Sequence, residues 1–246
     1  WDKICKPIKF QKLKIIDKKI KDCLKSGNLT PKQFNEKSSM LIGEYGGSSL
    51  EKVFSRKMKT LHSKKTFISF FLKTMRRIFP LFVGINQLKL NGISHLDIKR
   101  GNIVLDISTF KLIDFGLSRI LPENSNCIRQ SRYTGTVGYV SPESIIFNYI
   151  TLKTDIWSIG ILYYILLNNS HVFNVVNISK YKNQLCCMNS VIKQNNCFIV
   201  DNNTEKDFAV KQNMILFFKN TICYDKHRFT IRDCLHSNIF KNMIYI

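Results

Sequence analysis

The amino-acid sequence predicts an α+β fold. Two short apolar runs, Ile103-Val104-Leu105-Asp106 and Phe110-Lys111-Leu112-Ile113, are separated by Ile107-Ser108-Thr109, which is a β-hairpin pattern. Residues 66–91 carry Phe67, Phe70, Phe71, Met75, Ile78, Phe82, Ile85 and Leu88 at helical spacing. Helical patterns recur after residue 155, over 155–168, 208–220 and 230–236. With 246 residues and 44% hydrophobic content, the chain can bury a substantial core as one catalytic module in one or two lobes.

In chain order, Ser39-Met40-Leu41-Ile42-Gly43-Glu44-Tyr45-Gly46-Gly47 reads as a short apolar strand closed by a glycine pair, suited to a strand entering a hinge. Pro80 and Gly84 are expected to kink or divide the helix over 66–91. The hairpin after it would hold Asn102 at one end and Asp114 at the other. The longest apolar stretch, Ile156 to Leu167, is broken by Ser158 and Gly160 and is shorter than the roughly 18 residues a membrane span needs. It reads as a buried helix. The Asn-rich stretches around 168–170 and 194–204 read as loops.

The net charge of +21 raises nucleic acid or an acidic membrane as a partner. The dispersion of lysines among apolar residues over 9–25 and 52–65 fits solvated helix faces better, and no aromatic-basic stripe offers a base-stacking platform. No specific nucleic-acid binding is expected. Abundant Lys, Asn, Ile and Phe beside a single alanine, Ala209, point to an AT-rich coding genome such as that of some large DNA viruses or protists. Eight cysteines form no C-x-x-C pair, so reduced thiols in a cytoplasmic setting (host cytoplasm, or virion for a viral source) are expected rather than a zinc knuckle. The four Asn-x-Ser/Thr triplets follow from the abundance of Asn.

The densest chemistry lies in His95-Leu96-Asp97-Ile98-Lys99-Arg100-Gly101-Asn102, followed by Asp114-Phe115-Gly116. This spacing suits phosphoryl transfer. Asp97 can accept a proton from an attacking hydroxyl, while Asn102 and Asp114 offer the hard oxygen ligands that Mg²⁺ prefers, with Mn²⁺ as a substitute. Lys99 can reach the transferred phosphate as a compact positive charge. Taken singly, each is also a common loop cap or turn residue.

These segments resemble the eukaryotic-type serine/threonine protein kinases. The resemblance extends to Gly135-Thr136-Val137-Gly138-Tyr139-Val140-Ser141-Pro142-Glu143, similar to the end of an activation segment, and to Asp155-Ile156-Trp157-Ser158-Ile159-Gly160, similar to the start of a central helix. Arg228-Phe229-Thr230, with Leu235-His236 and Ile239-Phe240, resembles the closing segment. The resemblance covers roughly residues 40–246. It implies a bilobal fold over 1–246, with a partial small lobe and hinge approach at 1–45 and a mostly helical large lobe at 46–246.

By the same resemblance, Glu143 pairs with Arg228, Asp155 holds the backbone around Leu96, and His95 stacks with Phe115, which together with Gly116 fixes Asp114. Glu44, Tyr45 and Gly46 would bind adenine through the backbone, and Val104 would contact the ring. Thr136 would bridge Asp97 and Lys99, a feature of serine/threonine rather than tyrosine kinases. ATP and a protein substrate are the implied partners.

Two departures stand beside these matches. Leu96 replaces an Arg that many kinases use to read a phosphorylated activation loop, so Ser118, Ser125, Ser131 and Thr134 lack that reader and constitutive or partner-controlled activity is expected. No Gly-x-Gly-x-x-Gly loop or Val-Ala-x-Lys strand precedes residue 40, so the small lobe is incomplete or divergent. The absence of an initiator Met favours the incomplete reading. A pseudokinase or scaffold and a small-molecule phosphotransferase are the competing functions. The intact Asp97, Asn102 and Asp114 oppose the first, and the peptide-docking segment opposes the second.

Overall fold

The computed structural model describes residues 7–12, 39–43, 47–60, 64–106, 109–122, 125, 127–194 and 205–237. The chain divides into two compact units, Cys5–Gly46 and Gly47–Ile246, the latter with Trp1–Ile4. In the first, β1 (Pro7–Lys12) pairs antiparallel with β2 (Ser39–Gly43), with Phe10 opposite Leu41 and an irregularity between Pro7 and Lys9. Sequence inspection finds β2 and misses β1. Its signal is the brief alternation Ile8-Lys9-Phe10-Gln11, too short to stand out among dispersed lysines.

The second unit opens with β3 (Ser48–Ser49) and α1 (Leu50–Met58), whose N-cap is Ser49, its hydroxyl accepting from the Lys52 amide at 3.3 Å. Next comes α2 (Lys64–Leu90), a single helix that runs through Pro80. A proline inside a helix removes one backbone hydrogen bond and costs about 3 kcal/mol. Phe71, Met75 and Ile78 before it and Leu81, Phe82, Ile85 and Leu88 after it are all buried. Burying one large apolar side chain contributes about 1.5–3 kcal/mol, so seven of them outweigh the broken bond and the expected division does not occur.

The catalytic-loop region runs from β4 (Ile93–Ser94) to a 3₁₀ turn at Arg100–Asn102, then β5 (Ile103–Asp106) and β6 (Thr109–Leu112). The sheet order is β3-β5-β6, with Ser49 opposite Val104 and Ile103 opposite Leu112. The predicted hairpin is present. β7 (Arg119–Ile120) returns to pair with β4, and β8 (Cys127–Arg129) pairs with β9 (Tyr149–Thr151), with the short α3 (Pro142–Ile145) between them.

The remaining elements are α4 (Thr154–Asn168), α5 (Ile178–Cys186), α6 (Met188–Gln194), α7 (Glu205–Thr221) and α8 (Ile231–His236). Every residue of α4 is buried, as a helix apolar on all sides requires. Its Tyr163 packs on Phe217 of α7 and on Phe82 of α2, with ring centroids 5.2 and 5.7 Å apart. Gly160 permits the close approach of α7, because a Cβ there would lie 2.5 Å from Thr221 Oγ1. No helix among the described residues is long and apolar enough to cross a membrane. The observed elements agree with the α+β class, helix-rich with small antiparallel sheets.

Candidate active site

The 3₁₀ turn and β5 follow directly on the Asp97 loop, so the side chains of Asp97, Lys99 and Asn102, at most five residues apart in sequence, converge. Asp97 Oδ2 accepts from Lys99 Nζ and from Asn102 Nδ2, both at 2.8 Å, while Oδ1 accepts from Thr136 Oγ1 at 2.6 Å. Lys99 Nζ also donates to Thr136 Oγ1 at 2.8 Å, and Asn102 Nδ2 donates to the Asp97 carbonyl at 2.9 Å. Burial alone would raise the Asp97 pKa. The hydrogen bonds from Lys99 and Thr136, with the lysine charge, overcome it and hold the carboxyl below its usual range.

The loop is fixed from behind by Asp155 at the N-terminal end of α4. One carboxylate oxygen accepts from the His95 amide and the other from the Leu96 amide, each at 2.8 Å. Lys89, from the last turn of α2, donates to the same carboxylate as well as to the Ile93 carbonyl (3.2 Å) and Ser94 Oγ (3.1 Å). Burial raises the Asp155 pKa, and the Lys89 charge pulls it below the ordinary value. Sequence reasoning missed Lys89 because its partner lies 66 residues away. Held in this way, Leu96 adopts φ 68, a left-handed conformation uncommon outside glycine.

His95 joins the Asp97 loop to the Asp114 strand. Its Nδ1 accepts from the Asp97 amide at 3.2 Å, so Nε2 carries the proton and donates to the Ile113 carbonyl at 3.1 Å. Desolvation lowers the His95 pKa and keeps the ring neutral. The Phe115 ring meets it edge-on, centroids 4.8 Å apart. Asp114 has φ 66 and accepts from the Gly116 amide at 3.3 Å. The Ile113 amide donates to the Asn102 carbonyl at 2.9 Å, which ties the strand before Asp114 to Asn102.

Two oxygens in this region are available to a cation. The side-chain carbonyl of Asn102 is left over once its amide has turned to Asp97, and Asp114 projects an exposed carboxylate. Among the described residues no group of three or more His, Cys, Asp or Glu side chains could form a metal cage. A pair of hard oxygens nevertheless fits Mg²⁺, which keeps much of its water and shares phosphate oxygens.

Further out, Glu143 and Arg228 form a buried bidentate pair, with Nη1 to Oε1 at 2.6 Å and Nη2 to Oε2 at 2.9 Å. Arg228 also donates to the Cys223 and Lys153 carbonyls and lies 5.4 Å from the Trp157 ring centroid. Leu96 is enclosed by Leu121 and Ile150, with Ile128 and Leu152 at the margin, so an apolar cluster occupies the region beside the activation segment. Val104 is buried in β5. The adenine-contact expectation at Glu44, Tyr45 and Gly46 lies outside the described residues.

Residues 19–240 match the family described as protein kinase domain, and the chain belongs to that family. Over 105 residues it is 38% identical to serine/threonine-protein kinase 17A of Oryctolagus cuniculus, a match covering 41% of this chain and 25% of the relative. A probable serine/threonine-protein kinase of Encephalitozoon cuniculi is 38% identical over 96 residues, 39% of this chain and 17% of that protein. Death-associated protein kinase 2 of Mus musculus is 36% identical over 95 residues, 37% of this chain and 25% of that protein. The chain thus spans a quarter or less of the length of these curated relatives. The family in general uses ATP and a divalent metal ion.

Proposed function

We propose that this chain is an ATP-dependent serine/threonine protein kinase, transferring the γ-phosphoryl group to a protein Ser or Thr hydroxyl. The observation that carries this reading is the low-pKa carboxylate of Asp97 held by Lys99, Asn102 and Thr136. Oδ2 takes two donors and Oδ1 only one, which leaves an acceptor direction on Oδ1 for the attacking hydroxyl. That hydroxyl oxygen bonds to the γ-phosphorus, the bond to the β-phosphate oxygen of the departing ADP breaks, and the proton passes to Asp97. Its low pKa makes Asp97 a weak base, so it orients the hydroxyl first and takes the proton late, as a loose transition state allows.

Two of the three ammonium hydrogens of Lys99 are engaged by Asp97 and Thr136, leaving one for a phosphate oxygen. Asn102 and Asp114 would hold Mg²⁺, with Mn²⁺ as the substitute. Once bound there, the ion neutralises charge on the phosphate oxygens. Val104 is the proposed adenine contact in this unit. His95, Phe115 and Gly116 position Asp114, while Asp155 positions the Asp97 loop and the Glu143–Arg228 pair anchors the activation segment. The proposed boundary at residues 45 and 46, between partial small lobe and catalytic lobe, lies one residue from the division of the compact units between Gly46 and Gly47, which groups Trp1–Ile4 with the larger unit. A cytoplasmic setting is supported by the free thiols of Cys127, Cys186, Cys187, Cys223 and Cys234.

The test is transfer from Mg·ATP to a generic protein substrate, comparing the chain with Asp97→Asn and Asp114→Asn. Loss of transfer by a factor on the order of 10²–10⁴ with Asp97→Asn supports the assignment, and an equally active Asp97→Asn removes it.

A further inference from the structure

A cavity of about 740 Å³ lies along the activation segment, lined among others by Arg119 of β7, Arg129 at the end of β8, Arg132, Gln130 and Gly135. Three arginines of the segment therefore border one space. Arg119 is oriented by its own chain, Nη1 donating to the Ser118 carbonyl at 2.9 Å and, more weakly, to the Leu117 carbonyl. Among the described residues, no carboxylate pairs with Arg119, Arg129 or Arg132. Like charges gathered without counter-charges are mutually repulsive, and an anionic ligand relieves that repulsion.

The position of the cavity says which anion. Gly135 lines it, and the next residue, Thr136, donates to the carboxylate of Asp97. An extended peptide advances about 3.3–3.6 Å per residue, so side chains within a few residues of a hydroxyl held at Asp97 come to this cavity. Gln130 distinguishes a peptide from a bare anion. Both its side-chain oxygen and nitrogen are buried without a hydrogen-bond partner, although its backbone amide donates to the Asn148 carbonyl at 2.7 Å. An unpaired buried amide costs about 1–3 kcal/mol. A sulfate, which carries no proton to donate, can satisfy only the nitrogen, whereas an extended peptide backbone, met by a rotation of the Gln130 side chain, offers both a donor and an acceptor.

We infer that this cavity is the docking cleft for acidic residues flanking the phosphoacceptor, so that the chain selects Ser/Thr sites in acidic segments. The inference rests on the proposed kinase reading, since it names the substrate class of that same site. Carboxylates pair with Arg119, Arg129 and Arg132, and guanidinium forks suit them in bidentate geometry. The surplus of positive charge over the whole chain adds attraction at longer range.

The experiment has two readouts. Fluorescence anisotropy of labelled Ser-containing peptides with Asp or Glu, Ala, or Arg flanks on either side measures binding to the Asp97→Asn chain. Transfer kinetics of the same peptides are measured with the unaltered chain. The acidic series binds at least about tenfold tighter than the basic series, with the advantage shrinking as salt rises. Arg129→Glu combined with Arg132→Glu abolishes the preference through KM with little change in kcat, while Arg129→Lys with Arg132→Lys keeps most of it at an unchanged thermal midpoint. Equal binding of acidic and basic peptides overturns the inference. So does a charge-reversed variant that loses RNA or polyphosphate binding but not acidic-peptide binding. Acidic binding retained with no transfer to any peptide supports the cleft and counts against the kinase reading, whereas transfer without acidic preference counts against the cleft alone.

Discussion

Gly135 passes the catalytic loop so closely that a Cβ on it would lie 2.5 Å from the carbonyl oxygen of Leu96. Its φ of +114 is likewise one that L side chains rarely adopt. The activation segment and the Asp97 loop thus meet backbone to backbone, and Thr136 reaches Asp97 only because its neighbour has no side chain. Gly135→Ala is expected to strain the segment by on the order of 1–3 kcal/mol and to lower kcat by at least about tenfold. Kinetics together with a melting curve check both. A variant with unchanged kcat would show that the approach is irrelevant to turnover.

The Glu143–Arg228 pair is buried at both ends, with side-chain exposures of 2% and 0%. Removing one member leaves the other charged and unpaired. Arg228→Ala is expected to destabilise the fold by about 3–5 kcal/mol in urea titrations, and Arg228→Lys by less, since one donor survives where two were made. Burial opposes ionisation of Glu143, but the Arg228 charge and hydrogen bonds win and lower its pKa. Its contribution is therefore present above the unfolded carboxylate pKa and lost as pH falls through the lower folded value.

His171 supplies a second acid window. Its Nε2 donates to the Gly138 carbonyl at 3.0 Å and its Nδ1 accepts from the Phe173 amide at 3.0 Å. Burial presses its pKa from 6.5 to about 4. Because the folded value is the depressed one, the unfolded chain binds the extra proton first, and stability falls as pH drops from 6.5 towards 4. The loss from this group is on the order of 3 kcal/mol. His171→Gln should flatten the stability slope across that window, and an unchanged slope would assign it to other groups.

Leu96, Leu121 and Ile150 pack together where a charge-reading arginine was the alternative, and this apolar contact is the ground for expecting an activation segment ordered without a phosphate. Ser118→Ala, Ser125→Ala, Ser131→Ala and Thr134→Ala are each expected to change transfer rates by less than about tenfold, or 1.4 kcal/mol. Leu96→Ala should instead cost about 2–5 kcal/mol of stability. A phosphomimetic that raised the rate more than about tenfold would contradict this.

Much of this arrangement is legible in the sequence because it depends on short spacings. The β5–β6 hairpin, the buried α4 and the grouping of Asp97, Lys99 and Asn102 are all set by local pattern. Lys89 is not legible, since a lysine at the end of an amphipathic helix looks solvated until Asp155 is seen beneath it. The unbroken α2 is missed for a related reason. The local rule for Pro80 is sound, and the burial on both sides that overrides it is tertiary. Arg119, Arg129 and Arg132 look like three scattered charges because only the pairing of β7 with β4 and of β8 with β9 brings them round one cavity.

The cluster around Leu96 also decides what kind of lever acts on the segment. A phosphate gripped by arginine is written and erased by other enzymes and fades as counter-ions accumulate. A hydrocarbon contact has no such eraser, and its strength follows water structure, weakening on cooling. The segment should therefore loosen in the cold sooner than in brine.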